Sequence, residues 1–291
     1  MAKATTKTET QAAATTTAVN PKVNPGAVIE APDFSGDAGA GMEGASQESF
    51  AIPFLSVLQK GSPQVDEASG NAIEGARQGM LFENVTGRLL DGKTGVTIVP
   101  CAYRRVFLRW APREGGGGFK GELLPEEVAN MRTSGKVVDL DGKLYFPMAD
   151  GTVNPNRCDR LADVRNHYVL LMNDDGSWTQ ALLSLGSTQI KKSKMLMSAL
   201  ASVSLVGPRG RYTPATWANK VRLTTVGESN DKGSWMGVRF ELAGQVTAND
   251  MYMAGKQFNE SVRKGSVEAK YEEPHDPTTV DASGDGAEGA F

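Results

Sequence analysis

The chain has few of the side chains on which enzymes and metal sites depend. It contains two cysteines, Cys101 and Cys158, and two histidines, His167 and His275. Two cysteines so far apart cannot build a disulfide scaffold, and they lack the paired spacing of a zinc site. A lone histidine in the body is more often a structural hydrogen-bonding residue than a base, because a base needs a positioned partner. We therefore expect no catalytic residue, no metal and no cofactor.

Long apolar runs are also missing. No apolar run reaches about 18 residues, and the N-terminus lacks the charged-then-apolar layout of a signal peptide. The sparse cysteines fit a reducing compartment. We expect a cytoplasmic protein that has no membrane partner.

Large apolar side chains are scarce at both ends of the chain. Residues 1–46 consist mainly of Ala, Thr, Gly and Pro, and residues 272–291 offer little that could be buried. Such segments cannot offset the conformational entropy that ordering would cost. The sequence therefore predicts a disordered arm over 1–46, a folded body over 47–271 and a disordered acidic tail over 272–291.

The modest net charge of −3 hides an uneven distribution. The first fifty residues contain three lysines and six acidic residues, and residues 272–291 contain six acidic residues with no Lys or Arg. The residues between them therefore carry six more basic than acidic side chains. A cationic body lies between two anionic ends.

Alternating apolar residues and turn residues predict a strand-rich α+β body with two or three helices. Two blocks of paired strands with a helix between them are compatible with a closed or nearly closed antiparallel β-barrel of the OB type. Residues 115–160 interrupt this pattern as an insertion or a flap. The expected hairpins join 79–90 to 95–110, 136–140 to 143–147, 167–172 to 177–185, and 219–226 to 234–246; the expected helices cover PEEVANM, about 188–206 and about 247–265.

Residues 95–110 carry the clearest chemical pattern. Alternation along this strand places Ile98, Ala102, Val106, Leu108 and Trp110 on one face and Tyr103, Arg105, Phe107 and Arg109 on the other. The first face reads as core. The second interleaves cations with aromatic rings.

Three such clusters of cations and rings occur in the body. Single-stranded nucleic acid is bound by this combination, because cations track phosphates and flat rings stack on bases. The alternative is that the rings are core residues and the arginines are solvated edge charges. The candidate nucleic-acid-binding residues are Tyr103, Arg104, Arg105, Phe107, Arg109, Trp110, Lys191, Lys194, Arg209, Arg211, Tyr212, Trp217 and Lys220.

The C-terminal sequence DASGDGAEGAF, attached to a basic and strand-rich body, resembles the single-stranded DNA-binding proteins of tailed bacteriophages. The resemblance implies an OB-fold body that coats single strands during replication, recombination and repair. It also implies a tail that recruits replication or recombination proteins through Asp281, Asp285, Glu288 and Phe291. From charge alone, the same tail is equally compatible with a solubilising terminus or with a competitor for the cationic body.

Two other functions stay open. A virion or assembly protein would use its ends as flexible arms, and a homo-oligomer is compatible with this sequence. A metal-dependent nuclease would need paired carboxylates, for which the candidates are Asp159, Asp163, Asp174 and Asp175.

Overall fold

The structure is a computed structural model that describes residues 34–37, 40–45, 49–112, 114, 116–231, 233–267, 269 and 271. The chain divides into two compact units after Gly44. In the first unit, Phe34–Asp37 form a 3-10 turn. Most of the predicted arm and the whole predicted tail lie outside the described residues.

The described part of the second unit contains thirteen strands and three α-helices. The strands are β1 Leu55–Val57, β2 Leu81–Glu83, β3 Arg88–Leu90, β4 Val96–Trp110, β5 Phe119–Leu123, β6 Val138–Leu140, β7 Lys143–Tyr145, β8 Arg160–Met172, β9 Trp178–Gly186, β10 Leu205–Gly207, β11 Gly210–Tyr212, β12 Asn219–Asn230 and β13 Gly233–Gln245. The helices are α1 Pro125–Thr133, α2 Ile190–Ser202 and α3 Asn249–Lys264. The predicted strand-rich α+β class is confirmed.

A long antiparallel pair, β4 with β8, forms the centre of the main sheet. On its other edge β4 pairs with β12 near its start and with β5 near its end, and β12 continues to β13. The far edge of β8 pairs with β9 and, at its first residues, with β7, which pairs with β6. The sheet therefore branches at both ends of its central pair.

No sheet of the described residues closes into a barrel, which corrects the expectation of a closed β-barrel. The strands β1, β2 and β3 form a separate three-stranded sheet. It meets β9 through one parallel bridge, Phe54 to Leu182. It meets β13 through the side chain of Gln59, which bonds the backbone of Met236 in both directions. Closing a barrel would require continuous backbone pairing of this small sheet with β9 and β13, and the structure has only the bridge and the Gln59 bonds in these places.

Most locally signalled elements are confirmed. The hairpins β6–β7, β8–β9 and β12–β13 and all three helices lie within a few residues of their predicted ranges. The hairpin expected between 79–90 and 95–110 is wrong. Residues 81–90 form their own hairpin, β2–β3, while β4 takes β8, β12 and β5 as its partners.

A β-bulge in β4 changes the predicted facing of one residue. The register between β4 and β8 shifts between Pro100 and Ala102, so Cys101 is the extra residue. Because a bulge moves the following residues to the opposite alternation, Ile98 shares a face with Tyr103 rather than with Ala102. The assignments from Ala102 to Trp110 are unaffected.

We call the sheet face that carries Tyr103 and Arg105 the front face and the opposite one the back face. At the β4 start, the front face is apolar and is covered by α2 and the three-stranded sheet, with Ile98, Leu171 and Leu196 among its buried residues. At the β4 end it is apolar again beneath α1 and β7, around Phe107 and Val128. Residues 116–160 of the predicted insertion or flap thus fold onto the sheet.

The back face is covered by α3 and the residues that follow it. Met251, Phe258 and Val262 recur at helical spacing and pack on β4, β8 and β9. Burying one such side chain contributes about 1.5–3 kcal/mol. The helix ends at Gly265, whose left-handed backbone (φ 74°) suits a residue without a Cβ.

Beyond α3 the chain continues along the back face as far as Tyr271. The Tyr271 ring lies 5.3 Å from that of Phe54 and 5.2 Å from that of Phe119. Its hydroxyl is the hydrogen-bond partner of the buried Asn166 amide. The last described residue is therefore fixed on the back of the sheet.

Candidate nucleic-acid interface

The front face is polar only in its middle. Five side chains of β4 and β8 occupy this zone, between the apolar zones under α2 and α1. We call them the polar strip: Tyr103, Arg105, Asp163, Arg165 and His167. Charged residues at the centre of a sheet face otherwise built for burial require a specific reason.

One carboxylate in the strip is shared by two arginines. Arg105 donates to both oxygens of Asp163, from Nε at 3.1 Å and from Nη2 at 2.9 Å. Arg165, only 5 % exposed, donates to the same two oxygens. The hydrogen bonds to Asp163 raise the pKa of Arg105 above its ordinary value. The three groups together retain one positive charge.

A second shared carboxylate lies at the end of the strip. Arg109 Nε donates to Asp159 at 2.7 Å, and Lys120 of β5 donates to it at 2.8 Å. Burial alone would raise the pKa of Asp159, but the bonds from Lys120 and Arg109 hold it below the usual range. The Arg109 guanidinium also lies 3.9 Å from the centre of the Phe146 ring. This triad likewise keeps one positive charge in excess.

Two of the predicted clusters meet at His167. The His167 ring lies 5.3 Å from the Tyr103 ring, and its Nε2 is 2.8 Å from the hydroxyl of Ser193 on α2. Burial, followed by the charge of Arg165, lowers the pKa of His167 to about 4, so the ring is neutral near neutral pH. Lys191 and Lys194 belong to the same turn of α2 as Ser193 and are exposed. The first turn of α2 therefore packs against the strip through Ser193 and carries two exposed cations beside it.

Polar contacts hold α2 in this position. Gln189 accepts a hydrogen bond from the backbone of Val238 at 2.9 Å and donates to Glu228 at 3.1 Å. Lys192 forms an ion pair with Glu228 at 2.6 Å. Lys191 and Lys194 form no ion pair with any residue that the structure describes. Their charges are thus available to a ligand.

The remaining β4 candidates are not all accessible. Tyr103 is 39 % exposed, whereas Phe107 is 6 % exposed beneath α1, so a base could not stack on Phe107 in this conformation. Arg104 and Trp110 lie on the back face, where Arg104 pairs with Glu122 and Trp110 packs on Phe119. We therefore leave these three residues out of the interface.

The third predicted cluster is divided between two places. Arg209, Arg211 and Tyr212 belong to the β10–β11 hairpin and are exposed. Trp217 instead packs against α3, with its ring 6.5 Å from that of Tyr252, and the half-buried Lys220 opens β12 nearby. The four predicted tail residues, Asp281, Asp285, Glu288 and Phe291, lie outside the described residues.

These cations lie in one segment of the chain without acidic residues, a pattern that the three separate clusters did not reveal. From Gly176 to Gly227 there is no Asp or Glu, although the chain has 34 acidic residues in 291. The same segment supplies seven cations, among them Lys191, Lys194, Arg209 and Arg211. It covers β9, α2, β10, β11 and most of β12. A count of acid-free runs would have identified α2 and the hairpin together.

Three of the four carboxylates considered for a nuclease have other partners. Asp159 and Asp163 each bind two cations, and Asp175 caps the β8–β9 turn by accepting from Ser177. The described residues contain no group of three or more His, Cys, Asp or Glu that could hold a metal ion. Both cysteines are buried free thiols, and burial raises the pKa of Cys101 to about 12. Of the helices that the structure describes, none is long and apolar enough to cross a membrane.

A family model described as Pam3 phage gp34-like protein matches residues 24–268. Searches of curated proteins and of solved structures find no match to the chain.

Proposed function

We propose that this chain, which belongs to the family of Pam3 phage gp34-like proteins, binds single-stranded DNA without sequence preference and without catalysis. The binding would serve phage replication, recombination and repair in the cytoplasm of a bacterial host. The polar strip carries the proposal, because one shared carboxylate within it and a second at its end leave this region positively charged beside an exposed ring.

The charge of the strip suits a phosphate backbone. Ion pairs usually neutralise a surface, but here Asp163 and Asp159 are each divided between two cations. A ligand phosphate can therefore approach Arg105 or Lys120 without breaking a one-to-one pair. Lys191 and Lys194 extend the positive field onto α2. Cations along a groove are what sequence-tolerant single-strand binding uses.

Tyr103 supplies a stacking surface. It is the aromatic residue of the strip that remains exposed, and the neutral His167 ring supports it from the side. Stacking of one base on one ring contributes about 1–3 kcal/mol and tolerates any base. One such ring beside the five accessible cations, Arg105, Arg109, Lys120, Lys191 and Lys194, favours a binder that does not read sequence.

An OB-like, partly closed arrangement of the sheets is part of the proposal. The separate sheet of β1, β2 and β3 lies between the β9 and β13 edges, through the Phe54–Leu182 bridge and the bonds of Gln59. This arrangement approaches the layout of a small barrel without closing it. OB folds bind single strands across one sheet face.

The acidic tail would recruit replication or recombination proteins. Its six acidic residues and its terminal Phe291 offer charge and a ring to a basic partner surface. The same charges would compete with DNA for the polar strip.

Binding to oligo(dT), measured by fluorescence anisotropy at two salt concentrations, tests the proposal. Affinity should fall steeply with salt, since about 0.7 counterion is released for each phosphate contacted on a single strand. The absence of saturable binding at low salt would end the proposal.

Substitutions in the strip locate the site. Tyr103→Ala should weaken oligo(dT) binding by about tenfold, the lower part of the stacking range, while Tyr103→Phe should bind normally. The matched control is Phe50→Ala, which removes a ring that is also exposed but lies before β1. Equal losses in Tyr103→Ala and Phe50→Ala would refute the assignment of the strip.

A second function, assembly with other copies or virion proteins, is favoured by the edge of β13. Every residue from Glu241 to Gln245 is exposed, and the outer edge of β13 pairs with no described strand. An open edge of this kind can add a strand from another chain. Light scattering of the purified protein distinguishes a monomer from such an assembly.

A further inference from the structure

The β10–β11 hairpin extends from the body as an exposed ribbon. Its two strands pair with each other and with no other described strand. Every residue from Pro208 to Thr213 is exposed. An isolated two-stranded hairpin is at best marginally stable, so its exposed half contributes little to the stability of the fold.

The tip of the hairpin is narrow. The register pairs Gly207 with Gly210, so Pro208 and Arg209 form the entire loop. The flanking glycines add no side chains to its width. The Tyr212 ring lies across Gly207, where an added Cβ would be 3.1 Å from the ring, and Tyr212 is 51 % exposed. The loop thus presents Pro208 and Arg209, and the Tyr212 ring follows on the adjoining strand β11.

The charge of the hairpin is unopposed. Arg209 and Arg211 form no ion pair with any residue in the described part of the chain. The nearest acidic residues in sequence are Asp175 and Glu228, far to either side. The hairpin therefore attracts a polyanion.

The shape of the tip favours a groove rather than a flexible strand. The major groove of duplex DNA, about 12 Å wide, admits a two-stranded β-ribbon with its side chains, whereas the minor groove, about 6 Å wide, admits only a narrow tip. Proteins that enter the minor groove often insert a proline or another apolar wedge beside arginines. A single strand, in contrast, lies along a face such as the polar strip.

We propose that the hairpin enters a groove of the duplex adjoining a bound single strand, with Pro208 at the base pairs and Arg209 and Arg211 on phosphates. This inference rests on the proposed function, since the polar strip would hold the single strand. The ligand is thus a junction between single-stranded and duplex DNA.

The position of the hairpin supports a junction. Lys191 and Lys194 lie in the first turn of α2, and two residues separate the end of that helix from the start of the hairpin. A helix of this length spans about 20 Å at 1.5 Å per residue. The strip and the hairpin tip are therefore separate contacts joined by a rigid helix, which suits two segments of one DNA.

The test compares three DNA probes with the full chain: oligo(dT), a blunt duplex, and the same duplex carrying an oligo(dT) tail. The wild type should bind the tailed duplex about tenfold more tightly than oligo(dT), because two more phosphate contacts are made. In Arg209→Ala/Arg211→Ala the preference should disappear, while affinity for oligo(dT) stays within about twofold. The salt slope on the tailed duplex should fall by about two, near 0.9 for each contact.

Lys60→Ala/Arg77→Ala is the matched control, because it removes two exposed cations from the loop before β2. It should keep the preference for the tailed duplex. Pro208→Gly should reduce the preference with no change in charge. Circular dichroism confirms that each variant is folded.

The outcomes separate the two proposals. Failure to bind oligo(dT), even with binding to duplex, would overturn the proposed function. Normal binding to oligo(dT) with no preference for the tailed duplex would overturn the hairpin inference alone. Equal losses of affinity in the hairpin variant and the loop control would also overturn the hairpin inference.

Discussion

At the residue scale, Asp163 limits the charge of the polar strip. Its two oxygens accept from Arg105 and from the buried Arg165, so it both neutralises part of the strip and satisfies Arg165. These two roles have opposite consequences for binding and for stability. A single substitution can therefore separate them.

Asp163→Asn should bind oligo(dT) more tightly, because it removes one negative charge and releases the exposed Arg105, so the salt slope should rise by about 0.7. The same change should lower the free energy of unfolding by about 1–3 kcal/mol, since Arg165 loses its charged partner in a buried site. Urea denaturation and anisotropy measure the two effects. Changes in the same direction would contradict this account of Asp163.

His167 should make stability depend on pH. Its pKa is about 4 in the folded chain and near 6.5 when unfolded, because burial disfavours the charged ring. Between these values the unfolded chain binds a proton that the folded chain does not. Stability is therefore complete above pH 6.5 and falls as the pH falls toward 4, by about 2–3 kcal/mol at pH 4.5.

Urea denaturation of wild type and His167→Gln at pH 7 and pH 4.5 checks this prediction. Glutamine cannot titrate, so the variant should lose less stability on acidification than the wild type. The comparison cancels the carboxylates, which are common to both proteins. Equal losses would show that His167 does not titrate in this range.

At the element scale, α3 is fitted to the back face by a glycine. A Cβ at Gly255 would lie 2.8 Å from Trp217 Cβ and 3.4 Å from Cys101 Sγ. The absence of a side chain lets the helix approach the turn that carries Trp217. Glycine at position 255 therefore allows the close approach of α3 to Trp217, at the cost of the higher helix propensity of alanine.

Gly255→Ala should therefore destabilise the protein by about 1–2 kcal/mol, since overpacking exceeds the propensity gain of about 1 kcal/mol. Thermal unfolding should shift down by a few degrees, about 2–4 °C for each kcal/mol. Gly227→Ala is the control, because no atom lies within 4 Å of an added Cβ in that position of β12. An unchanged midpoint in Gly255→Ala would mean that Trp217 moves without cost.

Elements that depend on residues close in sequence could be predicted, and those that depend on distant strand pairing could not. The β6–β7 turn, with left-handed Asp141 and Gly142, and the end of α3 at Gly265 depend on residues close in sequence, so they were predicted. The pairing of β4 with β8 joins residues about sixty positions apart, and no local pattern encodes it. The burial of Phe107 depends on α1 in the same way.

In the candidate site, too, the features that depend on one strand were predictable and the contacts between strands were not. Alternation along β4 correctly grouped Tyr103, Arg105 and Arg109, because period two follows from strand geometry alone. The sharing of Asp163 and Asp159 between cations was not predictable, since β8 and the residue before it must first be aligned with β4. The bulge at Cys101 was equally hidden from a pattern of regular period.

At the scale of the whole molecule, the acidic tail and the cationic body should oppose each other. Removing residues 272–291 deletes six negative charges and no positive one. The shortened protein should bind oligo(dT) several-fold more tightly at low salt, and the difference should shrink as salt screens the charges. Anisotropy at two salt concentrations measures this, and equal affinities would reduce the tail to a tether.

The position of Tyr271 determines where such a shortened protein has to stop. Its ring packs on Phe54 and Phe119, and its hydroxyl accepts a hydrogen bond from the amide nitrogen of the buried Asn166. A truncation a few residues earlier would uncover an aromatic pocket and orphan an amide at the centre of β8. A change in affinity in that shorter protein could result either from loss of the tail charges or from loss of the Tyr271 packing. The stop codon therefore belongs directly after Tyr271.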